Sequence, residues 1–287
     1  MACYAAKDSG RNRVHVYESS DKAMAERYGQ MHWTTKISKA FEDDRFQLYQ
    51  QPIVRLIDNS RNHVEMLLRM IDEDENVIPP GAFMPAAERY GLMPVIDRWV
   101  IHEAFSYMAS DNLADPIKGT DRVLAINLSG DSINDSTLLD FILQEKTTCN
   151  ISLTNVCFEI TETVAISNLS KATLFINELK TFGCKFALDD FGSGLSSFAY
   201  LKTLPVNYLK IDGAFVKDIC NDVIDRAMVE SIQQVGKVMQ LETIAEHVED
   251  EATLLALKQI GVDYVQGYYL GRPEAIEDNR LKHNKPQ

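Results

Sequence analysis

Apolar residues along the chain follow two rhythms. Short runs rich in β-branched and aromatic side chains recur at 46–54, 63–69, 123–127, 156–160, 185–189, 207–211, 241–245 and 263–266, and each reads as a strand. From the third run onward the gaps between them carry helix-like pattern. It is clearest at 171–183 and 222–239, where apolar positions fall on one helical face, and Gly183 offers the first of these a C-cap. Pro85 and Pro94 suit helix first turns in the long stretch between strands two and three. The first connection is different, because only residues 57–62, centred on Asp58-Asn59-Ser60, separate the first two strands. A parallel crossover needs about a dozen residues, so this pair must form an antiparallel hairpin. The pattern therefore predicts an α/β fold, a (βα)8 TIM-like barrel whose first strand runs antiparallel.

Each predicted strand carries a polar residue in it or near its end: Gln51, Glu65, Asn127, Glu159, Asp189, Lys210, Glu246 and Gln266. Strand ends often meet solvent, so any one of these is unremarkable alone. A barrel, however, builds its active site at the C-terminal face of its strands from single residues on many of them. Carboxylates converging on one mouth repel unless cations hold them. A donor set rich in oxygen and poor in histidine points to Mg²⁺ or Mn²⁺ rather than zinc.

Composition narrows the setting. The chain has 287 residues, 45% hydrophobic and 25% charged, which is ordinary for a globular protein able to bury a core. Five cysteines with no Cys-x-x-Cys spacing favour reduced thiols and a cytoplasmic location over a disulfide framework. No apolar run approaches the roughly 18 residues of a membrane span, and no signal-peptide core is present. The net charge of −13 argues against DNA as a partner, though a small phosphate ester is compatible when cations invert the local field.

The motifs at the strand ends resemble, over about residues 37–276, the EAL family of cyclic di-GMP phosphodiesterases. Glu65-Met66-Leu67-Leu68-Arg69 stands for the name-giving motif, Asn127-Leu128-Ser129 for Asn-x-Ser, and Glu159-Ile160-Thr161-Glu162 for Glu-x-Thr-Glu. Asp189-Asp190-Phe191-Gly192-Ser193-Gly194 is the most specific piece. Lys210-Ile211-Asp212, Ala245-Glu246-His247-Val248-Glu249 and Gln266-Gly267-Tyr268 complete the series in order. The resemblance implies that Glu65, Asn127, Glu159 and Asp189 hold one cation, with Asp189 bridging to a second shared with Asp190 and Glu246. It implies hydrolysis of cyclic di-GMP to linear pGpG, with Glu246, Lys210 and Asp190 catalytic and Ca²⁺ inhibitory. Two cations suit this chemistry because they acidify a water and neutralise charge on the phosphorane oxygens. Gln51, Leu68, Arg69, Asp212 and Gln266 would contact substrate, Arg69 as a forked phosphate clamp. Glu162 and Glu249 would support the ligands and the mobile loop from behind.

This chain departs from the family pattern in three places. Met66 and Met70 replace the usual Ala and Trp, and His247 stands where Gly is common. If that position needs φ > 0, His adopts it at some cost, with its side chain expected toward solvent rather than a metal. Residues 1–17 resemble the end of a GGDEF diguanylate cyclase domain, so 1–36 reads as a GGDEF remnant plus connecting helix and 37–287 as the EAL barrel. The resemblance thus implies a bacterial signalling protein, a homodimer, and a parent chain with upstream GGDEF and sensory domains that can be membrane-tethered. The main alternative is a catalytically silent cyclic di-GMP receptor, which loss of Glu65, Asp189, Asp190 or Glu246 would have favoured; all four are present.

Overall fold

The computed structural model describes residues 33–110, 122–192 and 198–276. Of the segment read as a GGDEF remnant, only residues 33–36 are described, and they open a helix, α1 (residues 33–42); the rest of that expectation lies outside the described residues.

Among the described residues ten strands follow: β1 (Phe46–Arg55), β2 (His63–Ile71), β3 (Val77–Ile78), β4 (Val123–Asn127), β5 (Val156–Thr161), β6 (Lys185–Phe191), β7 (Tyr208–Ile211), β8 (Glu242–Ala245), β9 (Tyr264–Gln266) and β10 (Glu274–Ala275). β1 pairs antiparallel with β2 on one side and β9 on the other, and every other barrel pairing is parallel. The sheet thus closes into eight strands, with β3 and β10 as short antiparallel additions outside the ring. The hairpin and the reversed first strand are as the sequence predicts. Its turn is set locally: the Asp58 carboxylate accepts the Ser60 N–H at 2.9 Å and Asn59 takes φ 56°, a conformation Asn tolerates better than most residues.

The helices are α2 (Pro80–Arg89), α3 (Met93–Ala109), α4 (Gly130–Asn134), α5 (Leu138–Thr148), α6 (Glu162–Ser167), α7 (Leu169–Lys180), α8 (Gly213–Lys217), α9 (Val223–Met239) and α10 (Glu251–Ile260). Asp222 caps α9 by accepting the N–H groups of Ile224 and Asp225, the device expected of Asp at an N-cap. Pro94 lies in the first turn of α3 as expected, but Pro85 does not begin a helix. It lies inside α2, which starts on Pro80. Gly81 and Pro85 are both exposed, so water can take the carbonyl that Pro85 leaves without its helical donor.

Period-two alternation sends side chains to two different cores. Outward positions such as Leu124, Ile126, Phe158, Ile160, Phe186, Leu188 and Leu209 are fully buried beneath the helices. Inward positions form a separate, smaller cluster of Ile53, Ala125, Cys157, Ala187, Tyr208 and Ile244. Small residues at three of these leave room above them, and the next inward position on each strand opens on the mouth.

Candidate active site

Two residues along each strand from this set, and from His63 and Tyr264 packed beside it, lie Gln51, Glu65, Asn127, Glu159, Asp189, Lys210, Glu246 and Gln266, and these side chains meet. Lys210 is their centre, fully buried. Its ammonium lies 2.7 Å from Glu159, 2.9 Å from Glu246, 3.1 Å from Asp189 and 3.7 Å from Glu65. Glu65 is gripped from two sides, since Asn127 Nδ2 donates to its Oε1 and Gln266 Nε2 to its Oε2, each at 2.7 Å. Gln266 also donates to Gln51 Oε1 at 3.1 Å, and Gln51 Nε2 donates to the Gly271 carbonyl at 3.0 Å.

Asp190 joins the cluster by a backbone irregularity. Neighbours on a strand point to opposite faces, so Asp189 and Asp190 should diverge. The β6–β7 register shifts between Leu188 and Phe191, and Asp190 takes φ 54°. Such a bulge re-aims a side chain. Carboxylate oxygens of Asp189, Asp190 and Glu246 consequently lie within 4.8 Å of one another. The chain then turns through Gly192 at φ 101°, whose N–H donates to the buried Glu162 carboxylate at 3.0 Å. Glu162 therefore fixes the backbone at Gly192, two residues after Asp190.

The loop after β8 is fixed by close backbone contact. Val248 N–H donates to the Gln266 carbonyl, and a Cβ on Gly267 would sit 2.1 Å from the Val248 oxygen, so only glycine fits there. His247 does take positive φ, 55°, and it is exposed, as expected. Its ring lies across Gly213, where a Cβ would meet it at 2.3 Å. The absence of a side chain at Gly213 accommodates a histidine at 247.

The formal charges are unbalanced. Counted as ionised, five carboxylates (Glu65, Glu159, Asp189, Asp190 and Glu246) face one ammonium, so two divalent cations, displacing any protons, would bring the group to neutrality. Burial pushes the Lys210 pKa down, but the four acids around it outweigh this and hold it charged. Burial pushes the Glu65 carboxyl up, and Lys210 with the two amide donors brings it below its ordinary value. Glu159 is driven well above the usual range by burial and by the neighbouring acids. Glu246 rises to about 8 for the same reasons, burial first. Glu159 Oε1 is buried with no hydrogen-bond donor, and Asp189 Oδ1 has none in bonding geometry. Oxygens left this way are costly, and hard oxygen donors are what Mg²⁺ and Mn²⁺ take. The residues present fit such cations.

Residues 34–273 match the EAL domain family. The chain belongs to that family. It is 40% identical over 277 residues to the cyclic di-GMP phosphodiesterase PdeB of Shewanella oneidensis, covering 96% of this chain and 32% of PdeB. It is 34% identical over 243 residues to the cyclic di-GMP phosphodiesterase PdeF of Escherichia coli, covering 85% of this chain and 32% of PdeF. The chain thus spans about one third of the length of these two relatives. Among solved structures it superposes on the MucR phosphodiesterase in complex with c-di-GMP with a TM-score of 0.80, at 32% identity over 87% of this chain and 99% of that one. The FimX EAL domain from Pseudomonas aeruginosa bound to c-di-GMP gives 0.77, at 31% identity over 84% and 96%. The neighbours share the barrel predicted from the strand pattern.

Not every residue expected in this EAL site arrives there. Arg69 shares the inward parity of Glu65, further toward the rim, and its guanidinium lies 5.4 Å from the centre of the Tyr49 ring. Leu68 points the other way, 7% exposed in the outer core. Only its backbone serves the rim, its carbonyl accepting from Arg69 at 2.8 Å. Asp212 caps α8 by accepting the Ala214 N–H and lies close enough to Asp190 to raise its pKa, after burial and Asp189. Glu249 is exposed, and no described hydrogen bond or ion pair joins it to the site. Tyr49, the ring beside Arg69, sits two residues from Gln51 on the same face of β1, a position that alternation along 47, 49 and 51 marks as inward.

Proposed function

We propose that this chain hydrolyses cyclic di-GMP to linear pGpG, using two divalent cations held by Glu65, Asn127, Glu159, Asp189, Asp190 and Glu246. The observation that carries the reading is the buried ring of four acids around Lys210, joined by a fifth through the β6 bulge. The relatives named as cyclic di-GMP phosphodiesterases and the neighbours holding c-di-GMP supply the substrate.

When bound, the cations would acidify the attacking water and neutralise charge on the phosphoryl oxygens. The remaining work falls to side chains. Lys210 is held protonated, so it acts as a donor, orienting the water or stabilising a phosphoryl oxygen, and it cannot be the base. Glu246, beside it, would serve as a ligand of the second cation or as the base that takes the water's proton. The water oxygen bonds to phosphorus as its proton passes to the base, the bond to the 3′ oxygen breaks, and that oxygen takes a proton from solvent. Arg69 at the rim would clamp a phosphate through its two forked donors, with Gln51, Gln266, Asp212 and the Leu68 backbone lining the substrate's approach.

Mg²⁺ or Mn²⁺ supports turnover in this scheme, whereas Ca²⁺ occupies the site and inhibits, its longer bonds misplacing the water. Among the described residues no helix is long and apolar enough to cross a membrane. We place the reaction in the bacterial cytoplasm, in a homodimer whose parent protein carries GGDEF and sensory domains upstream.

The deciding assay incubates the protein with cyclic di-GMP and Mg²⁺ and separates products by chromatography. Linear pGpG, lost on chelation and restored by Mg²⁺ or Mn²⁺, is the expected result. Binding without any product would replace the enzyme with a receptor.

A further inference from the structure

Asp97 is a buried carboxylate that the proposed chemistry does not use. It lies on α3, 4% exposed, among core residues Met93, Ile96, Val100 and Ile101. Burying an anion is expensive unless donors surround it. Its donors come from one place, the turn that follows β4. Asp97 Oδ2 accepts the Ser129 backbone N–H at 2.9 Å. The hydroxyls of Ser132 and Ser129 lie within its hydrogen-bonding reach. Those two hydroxyls are 3.1 Å apart, the Ser132 N–H donates to Ser129 Oγ, and Ser132 is fully buried.

The turn matters because of what precedes it. Ser129 is two residues after Asn127, whose Nδ2 is fixed on Glu65 and whose Oδ1 is thereby left for another partner. Leu128, between them, is held on its other side: its side chain is buried and its N–H donates to the Glu159 carbonyl at 2.9 Å. The strand end bearing Asn127 is therefore pinned at two successive peptides, by β5 at Leu128 and by Asp97 at Ser129. Without an oxygen acceptor at 97, the Ser129 N–H loses its partner and the turn loses its described tie to α3 through that group.

We propose that Asp97 is a positioning residue for the cation site, holding the Ser129 turn so that Asn127 keeps its place between Glu65 and the metal. The inference rests on the reading of Glu65, Asn127, Glu159 and Asp189 as cation ligands. It differs from a role in stability alone because the group held is a ligand, so metal affinity must respond.

The test measures Mn²⁺ binding to the whole chain by electron paramagnetic resonance titration, with no nucleotide present, alongside kcat and KM for cyclic di-GMP. Asp97→Leu, similar in size and apolar, should retain native near-ultraviolet circular dichroism. Its Mn²⁺ dissociation constant should rise about tenfold or more, the usual effect of removing a partner behind a metal ligand. KM should move far less, and kcat should recover largely at saturating Mn²⁺. Asp97→Asn should stay within about threefold of wild type, because an amide oxygen still accepts the Ser129 N–H. A folded Asp97→Leu that binds Mn²⁺ as wild type does overturns the proposal. If that variant does not fold, Ser132→Ala decides instead: weaker Mn²⁺ binding supports the proposal and unchanged binding overturns it. Wild-type protein that binds no Mn²⁺ would defeat the metal reading itself, a separate outcome from a null effect at Asp97.

Discussion

The two ends of the barrel use alternate inward positions of the same strands and reach opposite solutions. At the floor, the rings of His63, Tyr208 and Tyr264 pack within 5.3–6.0 Å of one another. Lys185 donates to the Tyr208 hydroxyl at 3.3 Å, and Arg55 lies 3.5 Å from Glu242. Charges there are few, and each has a partner or reaches solvent. Burial, with help from Lys185 and Lys210, drives the His63 pKa down to about 3, so the ring is neutral. At the mouth, one step up, five acids crowd one lysine and buried oxygens go without donors. The floor minimises charge and stabilises; the mouth concentrates charge that the fold alone does not balance. On the proposed reading that contrast marks the mouth as the end at which chemistry occurs, and it can be broken residue by residue.

The largest effect is expected at Glu246. Glu246→Gln keeps shape and one oxygen but loses the charge, so kcat should fall about 10²–10⁴-fold, with cyclic di-GMP still bound within about tenfold when Ca²⁺ replaces Mg²⁺. Glu249→Gln should cost much less, consistent with its exposed position outside the cluster. Calorimetric titration paired with a pGpG assay reads both, and wild-type turnover in Glu246→Gln removes it from the mechanism.

Arg69→Ala comes next. Loss of a charge-assisted pair costs about 1.5–3 kcal/mol, so KM should rise roughly ten- to a hundred-fold with kcat less affected. An unchanged KM in folded protein would show that Arg69 serves only Tyr49 and the Leu68 carbonyl.

The third prediction uses the opposite responses of the two ends to pH. Below about pH 8 Glu246 holds a proton that a cation must displace. The Mg²⁺ concentration for half-saturation should therefore fall by up to about tenfold per pH unit as pH rises toward 8, then level off. A midpoint independent of pH across that window would contradict the assignment of Glu246 as a ligand.

The floor supplies the smallest effect. Because the His63 pKa is depressed on folding, the unfolded chain binds more protons between about pH 3 and 6.5. His63 therefore leaves stability independent of its titration above about pH 6.5 and lowers it on acidification, by up to about 1.4 kcal/mol per pH unit. His63→Leu should remove that part of the acid sensitivity. It also removes a buried ring nitrogen that has no partner, so stability at pH 7 should hold or rise, with kcat unchanged. Urea titrations across pH measure this, and a large loss of activity would mean that the two ends are not independent.

The sequence made the mouth easier to read than its supports. Alternation and strand-end acids led to the barrel, to Lys210 and to its ring, because inward parity is a local property of each strand. The β6 bulge has no such signature; only the motif resemblance placed Asp189 and Asp190 together. Pro85 looked like a helix start because the Pro80 start and the solvent exposure that tolerates an interior proline are set by tertiary context. Leu68 enters the substrate set only through its motif, since parity opposite to Glu65 and Arg69 sends its side chain to the core. Asp97, preceding Arg98 on a helix, reads as a surface charge until the fold sets the Ser129 turn against it.

The account stands on cations held at the mouth, and anomalous diffraction from crystals grown with Mn²⁺ tests this most directly. Two peaks about 3.5–4 Å apart are predicted. One should lie against Glu65, Asn127, Glu159 and Asp189, and the other against Asp190 and Glu246, with Asp189 between them. Crystals saturated with Mn²⁺ that show no peak there would contradict the account, as would Mn²⁺ bound only elsewhere on the acidic surface.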